Sequence, residues 1–347
     1  MNRRFLSALL TAGLLIVAAF TAAPLGAPQA QPERLGRGVV AIAQPDGKVF
    51  VSWRLLASDP PGVTFDLYSC PESDVFIKLN SKPIAGGTNW VEEVPTQGKY
   101  YVVRVSGVPP NIGATYEASA TATVWNDGYL RLPLQPPPGG TVSSGPESSA
   151  YTYTANDAST ADLDGDGQYE IVLKWEPTNA HDNSQAGLTG PVILDAYKLD
   201  GTRLWRINLG RNIRAGAHYT QFMAYDLDGD GRAEVACKTA DGTVDGVGTT
   251  IGDGAKDYRS LTVPSDGPSV PGTRDAKFGR ILAGPEYFTV FDGRTGAALA
   301  STPYLPARGD IGTWAGWAAM AATTATATAP TVFWPPWPTS TAPGPAW

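Results

Sequence analysis

One acidic string occurs twice and limits what the chain can become. D-L-D-G-D-G, closed three residues later by Glu, starts at Asp162 and again at Asp226. Each copy packs four carboxylates into nine residues. They are Asp162, Asp164, Asp166 and Glu170 in the first copy, and Asp226, Asp228, Asp230 and Glu234 in the second. Two such charges 4 Å apart repel by about 1 kcal/mol in water and by more inside a protein. A hard cation removes that cost. Oxygen-only donors, a flexible loop and a glycine at the sixth place favour calcium over zinc or a transition metal. The last acid falls at position nine, not at twelve as in an EF-hand, and no helix pattern precedes it. Apolar runs follow at once, from Ile171 and from Val235, so each string is a calcium loop leading into a β-strand. The plain alternative is a solvated acidic turn without metal. Duplication argues against it, and a repeat of this size predicts stacked units such as propeller blades.

The rest of the chain reads as β-structure in sequence. Residues 1–30 carry Arg3 and Arg4, an apolar run from Phe5 to Phe20 and a small-residue stretch to Ala30, the pattern of a secretory signal. The run is short for a membrane span. Residues 33–132 alternate apolar and polar residues at Val49, Val51, Trp53 and Leu55, and again at Val63, Phe65 and Leu67. Further strands are expected at Tyr100–Val105 and Ala120–Trp125. Turn residues separate them, as at Pro45-Asp46-Gly47, and this rhythm predicts an immunoglobulin-like or fibronectin-like sandwich. Residues 133–149, rich in Pro, Gly and Ser, read as a linker. Residues 150–313 contain the acidic strings and two tight hairpins, Asp195–Trp205 and Phe288–Ala298, and read as a partial propeller. Cys70 and Cys237 are expected to be small buried apolar residues. With 33 acidic against 26 basic residues, the chain is no candidate for nucleic acid.

Longer strings carry a family resemblance. YTANDASTADLDGDGQYEIVLKW, AHDNSQAGLTG and the stretch from DAYKLDGTRLW through AGAHYTQFMAYDLDGDGRAEVACKTADGT are similar to the bacterial rhamnogalacturonan lyases of polysaccharide lyase family eleven. The resemblance runs from about Arg34 to Trp314. It implies a fibronectin-like first domain, an eight-bladed calcium-rich propeller, and cleavage of rhamnogalacturonan I by β-elimination between rhamnose and galacturonate. It also implies several Ca2+ ions, a secreted protein acting as a monomer on pectic polysaccharide, and no membrane partner once the signal is removed. The N-D pair belongs, by the resemblance, to the substrate-facing end: Asn156 to sugar, Asp157 to calcium.

Other candidates come from their positions in the repeat. Lys174 and Lys238 occupy the same place after the two apolar strands. Each can bind uronate, or pair with a carboxylate to shield repulsion; Lys238 is also a candidate base. His218, beside Arg214 in a short loop, is a candidate catalytic residue, with Arg214 a candidate for substrate. Asp241 and Asp245, in TADGTVDG, form either another calcium turn or a surface hairpin. A different class of reading is a non-catalytic, integrin-like calcium propeller that only binds; unsaturated uronate product separates the two.

Beyond Trp314 the pattern stops. Residues 311–347 contain no charged residue and five of the ten tryptophans. Codons chosen for Thr331–Thr341 and read one base out of frame give a string like the family's. The expectation is a shifted frame near Gly312–Gly316, an aberrant tail over 314–347, about three blades of propeller, and no lyase activity from the chain as written.

Overall fold

The computed structural model describes residues 35–70, 75–93, 100–107, 119–145, 147–181, 185–216, 220–261, 278–281 and 283–305. Every regular element among them is a β-strand, as expected for an all-β chain. The expected signal at 1–30 and tail at 314–347 lie outside the described residues.

Seven strands form the first unit: β1 (Val40–Ala43), β2 (Val49–Ser52), β3 (Phe65–Cys70), β4 (Ile77–Lys78), β5 (Asn89–Glu92), β6 (Tyr100–Val105) and β7 (Ala122–Trp125). Their hydrogen-bonded order is β4-β3-β6-β7-β1-β2-β5. Strand β7 joins two layers: Ala122 and Thr123 pair antiparallel with β6, while Val124 and Trp125 pair parallel with β1. One core draws from both layers, with Ala41 and Val51 from one and Phe65, Leu67, Tyr101 and Val103 from the other. The β1–β2 turn is the predicted Pro45-Asp46-Gly47. Gly47 takes φ 83, which an L side chain rarely adopts, and its N–H donates to the Gln44 carbonyl at 3.0 Å. The expected alternation holds at Val49, Val51 and Trp53 but fails at Leu55, which is exposed, because β2 ends at Ser52.

The stretch read as a linker is partly structured. Strands β8 (Gly140–Ser144) and β9 (Glu147–Tyr151) pair as a hairpin across it. Ahead of them, Leu132 packs on Leu173, Trp175, Ile193 and Tyr197. Pro and Gly content marked chain direction here, and the apolar surface beneath decided the docking.

Two antiparallel meanders follow. The first is β10 (Tyr153–Ala161), β11 (Glu170–Pro177), β12 (Ile193–Tyr197) and β13 (Arg203–Asn208). The second is β14 (Phe222–Tyr225), β15 (Glu234–Ala240), β18 (Glu286–Phe291) and β19 (Ala298–Pro303). A short hairpin, β16 (Thr243–Val244) with β17 (Thr250–Ile251), leaves the second meander and pairs with β13 of the first. About three blades were expected. The described residues form a six-stranded sheet, in which β16 and β17 extend the first meander, and a four-stranded sheet.

Alternation along the strands fixes how the meanders stack. Val172, Leu194, Ala196, Trp205 and Ile207 of the first share one buried cluster with Val235, Cys237 and Phe291 of the second. Both cysteines are buried and outside any disulfide, and burial pushes the Cys237 thiol up to about 12, so it behaves as the apolar residue expected.

Candidate functional site

Each acidic string is the turn between the first and second strand of its meander: β10 to β11, and β14 to β15. The two turns share the same main bonds. Asp162 accepts from the N–H groups of Gly165 (2.7 Å) and Gly167 (2.9 Å); Asp226 accepts from Gly229 (2.7 Å) and Gly231 (2.9 Å). Glu170 accepts from Leu163 N–H and Glu234 from Leu227 N–H, both at 2.8 Å. Gly165 and Gly229 both take φ 80, which is why the string needs glycine there.

Three carboxylates converge in each turn, not four. Asp162, Asp164 and Glu170 bring oxygens within 4.8 Å of one another in the first, and Asp226, Asp228 and Asp230 do so in the second. Asp166 instead shares the ammonium of Lys198, at 3.2 Å, with Asp164, at 2.6 Å. Lys198 is far away in sequence, just past β12, and no local pattern pointed to it. In the second turn Arg232 holds Asp230 at 2.5 Å and keeps its carboxyl below the usual range.

Burial acts against charge at these turns. It pushes Glu170 up to about 7, and the neighbouring Asp164 and Asp166 add to the rise. Asp162 and Glu234 are raised by the same two causes in the same order, while the backbone donors oppose them. Hydrogen bonding to Asp164 raises Lys198.

The N-D pair sits in an irregularity of β10, where pairing with β11 slips between Ala155 and Ala158. Both side chains are exposed, and Asn156 accepts from the Asp157 N–H at 2.8 Å. Beneath them the Lys174 ammonium is 2% exposed and binds Asp157 at 2.7 Å. The pairing half of the Lys174 reading is therefore present, with a carboxylate of the bulge and not of the acidic turn. Lys238 repeats the arrangement with a different partner, Glu286 at 3.0 Å, and lies 6.0 Å from the Tyr304 ring centroid. An ammonium held on a carboxylate can bind or orient an anion; it accepts no proton in that form.

The remaining candidates separate. Arg214 is buried and donates to the Gln185 carbonyl at 2.7 Å. His218 lies outside the described residues. The Asp241 carboxylate accepts from Tyr258 (2.9 Å) and Tyr287 (3.0 Å), so phenols, not further carboxylates, converge on it. Asp245 accepts from Val247, Thr249 and Ala298 N–H groups and ties the β16–β17 turn to β19.

Sequence reasoning passed over Asp195. Fully buried, it accepts from Trp175 Nε1, Tyr197 OH and two nitrogens of Arg206, at 2.7–2.8 Å. Arg206 also donates to the Gln135 carbonyl at 2.7 Å, which clasps the connecting segment to the sheet. Its place inside a predicted hairpin hid it, because nothing local distinguishes a buried hub from a turn acid.

Comparison with known proteins fixes the lineage. The family model "Rhamnogalacturonan lyase family 11, C-terminal domain" matches residues 129–319, and "Rhamnogalacturonan I lyases beta-sheet domain" matches residues 30–125. The chain belongs to rhamnogalacturonan lyase family 11. Within family 11 it is 49% identical over 303 residues to the rhamnogalacturonan endolyase YesW of Bacillus subtilis (strain 168), covering 87% of this chain and 44% of that protein. It is 49% identical over 284 residues to the rhamnogalacturonan exolyase YesX of the same organism, covering 82% and 42%. The crystal structure of YesW superposes with a TM-score of 0.68 over 82% of this chain and 44% of that one. A Bacillus licheniformis family 11 lyase gives 0.67 at 50% identity, with 82% and 44% covered. The chain spans less than half the length of the relatives it matches.

Proposed function

We propose that the chain belongs to a calcium-assisted rhamnogalacturonan lyase, which cuts the rhamnose–galacturonate backbone of rhamnogalacturonan I by β-elimination. The observation that carries this is the 49% identity to both an endolyase, over 303 residues, and an exolyase, over 284 residues. Secretion and action as a monomer on pectin accompany the reading.

Elimination removes the C5 proton of a uronate and expels the 4-O-linked sugar, leaving a C4–C5 double bond. The carbanion forms beside a carboxylate, so positive charge on that carboxylate lowers the barrier. Lys238, held on Glu286, supplies such charge and orients the uronate; Lys174, buried beneath Asp157, acts by positioning that exposed carboxylate. Asn156, exposed on the bulge, offers an amide to sugar hydroxyls. The proton falls to a neutral base, the role proposed for His218, with Arg214, four residues earlier in the sequence, the candidate for holding the substrate.

The acidic turns suit calcium by their donor set: convergent carboxylate oxygens and no nitrogen or sulfur. Asp162, Asp164 and Glu170 would hold one ion, with Asp166 at its margin; Asp226, Asp228 and Asp230 would hold another, with Glu234 beside it. Asp157 and Asp241 are weaker ligands, since they lie outside the two convergent clusters, on Lys174 and on two phenols. A bound ion supplies charge neutralisation there and fixes the turn.

A chimera tests the function. Residues 35–305 replace the matched part of YesW, and the product is incubated with rhamnogalacturonan I. Ultraviolet absorbance from unsaturated uronate is expected. A folded chimera that yields only saturated ends, or no cleavage, contradicts the reading.

A further inference from the structure

The two acidic turns touch. The main-chain carbonyl of Asp162, in the first, accepts from the N–H of Ala233, in the second, at 2.7 Å. Both residues are fully or almost fully buried, so water does not compete for this bond. Ala233 lies between Arg232 and Glu234, at the point where the second turn enters β15. Arg232 in turn lies over the first turn: a Cβ on Gly165 would come within 2.9 Å of its Cγ. A third segment closes the joint from behind. A Cβ on Gly293 would meet the Ala233 carbonyl oxygen at 1.9 Å and the Leu163 carbonyl oxygen at 3.1 Å, and Trp205 Nε1 pins the Gly293 carbonyl at 2.6 Å. Leu163 and Ala233 share one core cluster.

We propose that the two turns form one cooperative cation unit, coupled through the Asp162–Ala233 hydrogen bond. This rests on the calcium reading of the turns given above. Asp162 serves both: its side chain organises the first turn, and its carbonyl positions the exit of the second. A cation that fixes Asp162 therefore fixes Ala233 and the start of β15 before the second ion arrives, and the second ion pays less ordering entropy. Linkage makes the effect mutual. Cations of the chain already sit on carboxylate oxygens of both turns, Lys198 on Asp164 of the first and Arg232 on Asp230 of the second. Arg232 spans the seam, so ordering Asp230 also orders the stem that covers Gly165.

Calorimetric titration of the full chain with calcium chloride tests this. Asp164→Ala removes the first turn and Asp228→Ala the second, and circular dichroism checks that each retains its β signal. The wild type is expected to take up the pair of ions at least fivefold more tightly than the sum of the two variant isotherms, a coupling at the low end of the usual range. Each variant is expected to weaken the surviving turn by the same factor. Ala233→Pro keeps every carboxylate but lacks the shared N–H, and is expected to titrate like that sum. A wild-type isotherm that superimposes on the sum overturns the coupling and leaves the calcium reading standing. Absence of calcium uptake by the wild type overturns both. Should Ala233→Pro not fold, the two aspartate variants still decide.

Discussion

Lys174 shows how much one residue depends on its partner. Its ammonium is nearly inaccessible, while Asp157 is 69% exposed. Asp157→Asn leaves a buried charge with a neutral neighbour, and a loss of about 1–3 kcal/mol is expected in denaturant unfolding. Lys174→Met, which removes the buried charge as well, should cost less; equal losses would mean that packing, not charge, matters here. Glu170 predicts a pH dependence. Its folded value near 7 lies above the ordinary 4.5, so without a cation its contribution is fully present below 4.5 and is lost as pH rises through 7. Calcium needs the ionised form, and Asp162 and Glu234 are shifted the same way. The calcium-induced rise in melting temperature should be larger at pH 8 than at pH 5.5. A larger rise at pH 5.5 would contradict the ligand assignment. The turn acids were legible in the sequence because they are local and repeated. The partners Lys198 for Asp166, Glu286 for Lys238 and the phenols for Asp241 were not, because they arrive from distant parts of the sequence.

Among elements, the strands after the acidic strings were the easiest to read. β11 and β15 begin at the closing glutamates, and their lysines fall at equivalent points. The connecting segment was the hardest. Its composition reads as a spacer, yet Leu132 and Gln135 dock on a sheet whose apolar face needs cover. Asp195 holds that docking together. Asp195→Ala strips the partner from buried Trp175 Nε1 and from Arg206, and a loss of about 3–5 kcal/mol is expected on thermal or denaturant unfolding. Limited proteolysis should then cut near Gln135 first. A variant as stable and as resistant as the wild type would show that the clasp is dispensable.

At the scale of the whole molecule, the first acidic turn also meets the sandwich. Gly36 N–H donates to the Gly167 carbonyl at 2.6 Å, and Arg54 stacks over the Tyr169 ring at 4.4 Å. The turn thus lies where sandwich, first meander and second meander come together. Sequence reading expected the sandwich and a partial propeller as separate units. It gave no sign of this junction, which depends on main-chain groups and one guanidinium. A cation at the turn would brace all three units. The most direct measurement is anomalous X-ray scattering from a crystal of the chain grown with calcium. Two peaks are expected, one per turn, each with carboxylate oxygens at roughly 2.3–2.6 Å. Turns without a peak in millimolar calcium would contradict the cation assignment.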